Sequence, residues 1–232
     1  MPSEFIAATP ELRLRTLFVL DEQGRMVTAR EPAPPSPAPL FTIIRSATSC
    51  VWAVRADVPD AMADELDGLA SEEPPVADFR LPPVHVGEYL ALVGGKVSSG
   101  PAFTFPDHID LSTGIQQIDD ERSLLHHFRG WVPGEIAEGR APVMAIVEDG
   151  YPVSICFCSR RTAEAAEAGL ETAEAYRGRG YGHRVTAAWA LAVRASGRIP
   201  LYSTSWDNTA SLAVARKLGL IQYASDWSLI GS

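Results

Sequence analysis

Arg177-Gly178-Arg179-Gly180-Tyr181-Gly182 decides how the chain folds around it. The stretch before it, Ala165 to Ala173, reads as a strand. From Gly180 to about Ala195 the apolar positions Tyr181, Val185, Ala188, Trp189, Ala192 and Val193 recur at threes and fours, the buried stripe of a helix. A glycine-rich turn between a strand and a helix start leaves several backbone N–H groups unpaired and directed outward, and such a terminus attracts a phosphate. Glycines let the backbone approach the anion and adopt positive φ, while Arg177 and Arg179 add charge that a neutral structural turn would not need.

Spacing separates the candidate ligands. A dinucleotide fold requires GxGxxG followed by an acid at the next strand end, whereas Gly178, Gly180 and Gly182 alternate and the next strand reads Ile199-Pro200-Leu201-Tyr202-Ser203. Gly94-Gly95-Lys96 is no phosphate loop, because Leu90 and Val97 occupy the positions of the first glycine and the hydroxyl residue. Outward from the turn, the pattern predicts strands at Gly114–Ile118, Val143–Val147, Pro152–Ser159 and Ile199–Ser205. It also predicts helices at Asp119–Phe128 and Asn208–Leu218 and a strand-like tail at Ile221–Ile230.

Arg177-x-x-Gly180-x-Gly182 resembles the [QR]xxGx[GA] pyrophosphate loop of the GNAT acetyltransferases. Ala166-Glu167-Ala168-Gly169-Leu170 is similar to that family's strand before the loop. Asn208 with Ser211 and Lys217-Leu218-Gly219-Leu220 is similar to its Asn-containing helix. The resemblance implies an α+β fold with a splayed mixed central sheet and flanking helices, and acetyl-CoA as cosubstrate. The pantetheine arm would lie where the strand before the loop parts from Ile199–Ser205. The pyrophosphate would sit on Arg177, Gly178, Arg179, Gly180, Tyr181 and Gly182, backbone groups of Thr172 and Ala173 would pair with the arm's amides, and Asn208 with Ser211 would contact the cofactor further along.

Acyl transfer to an amine needs a neutral nucleophile, and an alkylammonium with a pKa of roughly 10 is mostly protonated at neutral pH. Glu164, Glu167, Glu171 and Glu174 crowd one segment, and Glu167 and Glu171 share a strand face. Glu167 matches the strand glutamate of the family and is the first candidate base, through water; Glu171 is the second. Either is equally a solvated acid. The family's general acid, a tyrosine, is replaced by Ala215. Tyr202, Ser203 or Ser205 could supply a hydroxyl, or the thiolate leaves unassisted; Tyr202 also reads as core packing.

The first part of the chain, about 1–110, is expected to be a β-rich accessory region on the acceptor side, and 111–232 the acetyltransferase domain. It should contain a hairpin from Leu12–Leu20 and Arg25–Ala29, an extended loop with five prolines at Glu31–Pro39, and a second hairpin from Phe41–Arg45 and Cys50–Arg55. Helices are expected near Asp60–Ala70 and Val86–Val93; the rest of Ser71–Asp110 has no clear pattern. Among 232 residues, 29 acidic against 20 basic give a net charge of −9, which disfavours nucleic acid and tilts the acceptor toward a small cationic amine. No apolar run suits a membrane span and Met1-Pro2-Ser3-Glu4 lacks a basic leader start, so a cytoplasmic protein is expected, with a homodimer left open. The three cysteines read as core thiols, and adjacent His126 and His127 lack paired-ligand spacing, so no metal is expected. Two rivals are a non-catalytic acyl-CoA sensor and a nucleotide-binding oxidoreductase.

Overall fold

Thr9-Pro10-Glu11 overturns the first expected strand. In the computed structural model, which describes residues 8–32 and 34–231, Pro10–Leu17 is a helix, α1. Thr9 Oγ1 accepts the Leu12 N–H at 3.2 Å, Pro10 opens the first turn and Glu11 complements its dipole. These start signals outweigh the alternation of Leu12 and Leu14. The hairpin survives only in Phe18–Leu20 (β1) and Met26–Ala29 (β2), closed by Asp21 Oδ1, which accepts the N–H groups of Gln23 and Arg25. The expectation for Met1–Glu4 lies outside the described residues.

The second hairpin, Phe41–Arg45 (β3) and Cys50–Val54 (β4), and the helices Asp60–Ser71 (α2) and Val86–Val93 (α3) form as expected. Lys96–Thr104 is an unforeseen strand, β5. Gly100 and Pro101 argue against a central strand, but a Cβ at Gly100 would lie 1.8 Å from the Thr204 carbonyl oxygen, so only glycine permits this approach. The strand expected at Gly114–Ile118 shrinks to Gln116–Gln117 (β6). The helix expected at Asp119–Phe128 reduces to one turn at Glu121–Ser123. Glu121 is diverted there: its carboxylate accepts the N–H groups of Gly134 and Ile136 at 3.2 and 3.1 Å and ties the segment into a loop.

From there the elements agree with expectation to within a few residues at their ends: Met144–Glu148 (β7), Tyr151–Arg161 (β8), Ala165–Thr172 (β9), Tyr181–Ala195 (α4), Ile199–Ser203 (β10), Thr209–Lys217 (α5) and Ile221–Ile230 (β11). One nine-stranded sheet runs β4-β3-β11-β5-β10-β9-β8-β7-β6. It crosses the division expected near residue 110, since β5 is hydrogen-bonded to both β10 and β11. Helices α4 and α5 cover one face, where Val185, Trp189 and Val193 pack with Phe103, Tyr202 and Ala215. Helices α2 and α3 cover the same face further along, over Phe41, Ile43, Trp227 and Leu229. The opposite face carries α1, through Leu12 on Leu201 and Leu14 and Leu17 on Ile44 and Ala102.

Only β9 and β10 run parallel in this sheet. They pair at Ala165–Ile199, Ala166–Pro200 and Glu167–Leu201 and then part. Beyond Glu167, β9 continues to Thr172 with β8 on one side and, among the described residues, no strand on the other.

Candidate active site

The split opens a cleft of about 780 Å³ between β9, the turn before α4, and α5. Gly178 and Gly180 both stand at φ +77°, and no side chain caps the N-terminus of α4, so its first N–H groups face the cleft. A Cβ on Gly182 would meet Leu170 Cδ2 at 3.4 Å and Val214 Cγ2 at 3.5 Å, which sets how closely α4, β9 and α5 converge. The arginines are partly engaged within the protein. Arg177 Nε donates to the Thr172 carbonyl at 3.2 Å; Arg179 pairs with Glu148 at 3.4 Å and lies over the Tyr176 ring. The Tyr181 hydroxyl bonds the same Glu148.

On β9, the two backbone positions expected at the arm separate. Ala173 donates its N–H to Val153 of β8 at 2.9 Å and its carbonyl accepts from Tyr176, so both its groups are spent. Antiparallel pairing alternates direction, so with Ala173 turned to β8 the backbone groups of Thr172 and Leu170 point the other way, into the cleft. Leu170, and not Ala173, thus shares the side of the strand on which Thr172 lies. The sequence holds no signal for this, because the register of β9 on β8 is not written in either strand alone.

Across the cleft, Asn208 Oδ1 accepts the Ser211 N–H at 3.0 Å and caps α5. Asn208 and Ser211 both line the cleft. Tyr202 does not: it is 2% exposed, inside the core, with its hydroxyl 2.6 Å from Ser211 Oγ. Burial pushes its pKa up to about 12.

Glu167 lies on the other face, 2% exposed. Arg13 of α1 reaches it at 3.1 Å and also grips Asp226 of β11 through Nε at 2.8 Å, while Ser203 Oγ donates to Glu167 at 2.5 Å. Burial opposes the charge on Arg13, but Asp226 and Glu167 outweigh it and hold the guanidinium above its usual pKa. Ser203, Arg13 and Asp226 form one end of a second pocket of about 330 Å³, walled by Ser98, Ser99 and Gly100 and edged by the Glu31–Arg160 ion pair. Glu171, four residues along β9, stands away from that cluster, roughly 13 Å by strand rise. Its side chain is exposed at the cleft, yet enough protein crowds the carboxyl to raise its pKa, against the pull of Arg140.

His126 and His127 are not helical as expected: His126 stacks on Tyr151 at 3.9 Å and His127 joins the cleft wall. Cys156 and Cys158 are buried free thiols against α4.

Residues 138–227 match the family model described as GNAT acetyltransferase. That stretch, from before β7 into β11, is similar to the GNAT acetyltransferases. Among solved structures, a GNAT-family protein from Novosphingobium aromaticivorans is 19% identical, with a TM-score of 0.50 over 59% of this chain and 66% of that one. A GCN5-related N-acetyltransferase-like protein from Streptococcus suis is 16% identical, with a TM-score of 0.50 over 82% of this chain and 84% of that one. At these identities the likeness is one of fold. No curated protein sequence matches the chain.

The matched family model is that of acetyltransferases, and the residues present fit acetyl-CoA as a cosubstrate. The uncapped helix start and positive-φ glycines form an anion cradle, and the free edge of β9 offers backbone partners to an extended arm. A lone parallel strand pair is not the doubly wound sheet of a dinucleotide fold. The GNAT pattern is broken at Ala215, whose side chain is buried in the core.

Proposed function

We propose that the protein transfers an acetyl group from acetyl-CoA to the primary amine of a small cationic molecule, by direct attack in a ternary complex. The observation that carries this is the split itself: the cleft opens beside it toward α4 and α5, and the polar pocket lies on the α1 side, lined by the Ser203 that bonds the buried Glu167. In this reading the turn Arg177–Gly182 holds the pyrophosphate, and the backbone of Leu170 and the N–H of Thr172, whose carbonyl is taken by Arg177, pair with the arm. The pocket under the proline-rich segment takes the acceptor. The part before residue 110 then earns its accessory role by supplying Arg13, Glu31, Ser98 and Ser99 to that pocket. Asp226 and Glu31 suit an ammonium, and room for about ten waters limits the acceptor to a small molecule.

Glu167 accepts the Ser203 proton, so the serine's lone pairs are free to receive an amine N–H. The amine's proton passes along this chain or through water as the C–N bond forms. Nucleic acid and membrane have no part in this reading, which is that of a cytoplasmic enzyme. Among the described residues no helix is long and apolar enough to cross a membrane.

Ala215 supports a second reading, a sensor that binds acyl-CoA without turnover. Thiol release and mass spectrometry over a panel of amines, run with acetyl-CoA, separate the two. We expect turnover with at least one small amine; binding without any acetylated product selects the sensor. Gly180→Glu introduces a strained φ and a repelling charge at the cradle. Acetyl-CoA should raise the melting temperature of the parent and not of this variant; an equal rise in both would remove the cradle from the site.

A further inference from the structure

This inference rests on the acyl-transfer reading and adds a residue to it. Ser211 lies one turn before Ala215 on the same face of α5, lines the cleft, and has its Oγ 2.6 Å from the Tyr202 hydroxyl. Tyr202 is the first residue of β10 after the last pair with β9, Leu201–Glu167. Ser211 therefore stands at the split, where a thioester approached from the opposite face has to lie.

The two hydroxyls bring two protons. Besides each other, the acceptor within reach is the Ser211 carbonyl, 3.4 Å from the tyrosine oxygen and longer than an ordinary O–H···O bond. If Ser211 donated to Tyr202, the buried phenol would be left with that long bond, a costly state for a group out of water. If Tyr202 donates to Ser211, the buried group is satisfied. The proton left over then belongs to the serine, which faces the cleft.

We propose that Ser211 Oγ–H, held in place by Tyr202, donates a hydrogen bond to the coenzyme A sulfur during transfer. The bond made is amine nitrogen to carbonyl carbon; the bond broken is carbonyl carbon to sulfur, whose electron pair stays on sulfur. The amine's proton goes to the Glu167–Ser203 side or to water, and the sulfur departs as thiolate, hydrogen-bonded and unprotonated. Full protonation through the pair is unfavourable. With Tyr202 at about 12 and a thiol near roughly 8.5, that transfer runs uphill by roughly three to four orders of magnitude. Ser211 touches the sulfur and is catalytic; Tyr202 is a positioning residue.

The test is the thiol pKa of coenzyme A in its complex with the protein, read from thiolate ultraviolet absorbance across pH. Arg177, Glu171, His127, His183 and Lys217 face the same cleft and Glu174 flanks it, so their fields enter parent and variants alike. Ser211→Ala should raise the bound thiol's pKa by about one unit, Tyr202→Phe should raise it less, and Ser211→Thr should restore it. With acceptor, Ser211→Ala should lower kcat about tenfold, and the parent rate should not fall as pH rises from 8 to roughly 10, since no acid is being lost. A Ser211→Ala complex that binds coenzyme A and titrates like the parent overturns the assignment. A parent that fails to bind coenzyme A overturns the acyl-transfer reading, and this inference with it.

Discussion

Glu167 acts in company. It shares a buried guanidinium with Asp226 and takes the Ser203 hydroxyl, so its position is set from three elements, α1, β10 and β11. Glu167→Gln keeps the shape but replaces one of the two oxygens that separately receive Arg13 and Ser203 with an NH2 donor. We expect kcat to fall by roughly 10²-fold near neutral pH with acetyl-CoA affinity unchanged. The loss should be smaller at high pH, where more of the acceptor is already the free amine. A pH–rate profile identical to the parent's would hand the role to Glu171 or to solvent. Glu167 could be singled out in the sequence because it lies in the stretch Ala166–Leu170 that resembles the strand before such a turn. Its partner could not, because Arg13 lies 154 residues away and no local pattern marks an arginine for burial.

At the scale of elements, α1 places Arg13, and a single cap starts α1. Thr9→Ala removes the acceptor for the Leu12 N–H and should cost about 1 kcal/mol of stability in denaturant titration. Because Arg13 is on the first turn and a half, the same change should lower turnover more than it lowers acetyl-CoA affinity; equal effects on both would uncouple α1 from the acceptor side. The helices around the cleft were readable because their apolar stripes and glycine ends lie close in sequence. The missed elements fail for separate physical reasons. In α1, Leu12 and Leu14 imitate a strand; in β5, Gly100 and Pro101 imitate a turn; at Asp119-Asp120-Glu121 a good helix start is spent on holding the Gly134–Ile136 loop.

At the scale of the molecule, the sheet makes the first and second parts of the chain one folding unit. A piece comprising 111–232 lacks β5, and with it the partner of both β10 and β11. We expect this piece to be insoluble or unfolded by circular dichroism, and the whole chain to melt in one transition; a soluble, cooperatively melting piece would show that the sheet is divisible. The same interleaving matters while the chain is being made. Synthesis releases β3 and β5 early, yet the strand that lies between them, β11, follows only at Ile221. Until the ribosome has delivered it, both edges stand open to any passing strand, and the cradle at Gly180, formed from neighbours in sequence, can be ready before Asp226 arrives to complete the other pocket. A nascent chain would thus acquire its capacity for the donor before its capacity for the acceptor, and coenzyme A present during synthesis would be met by a protein still waiting for its last strand.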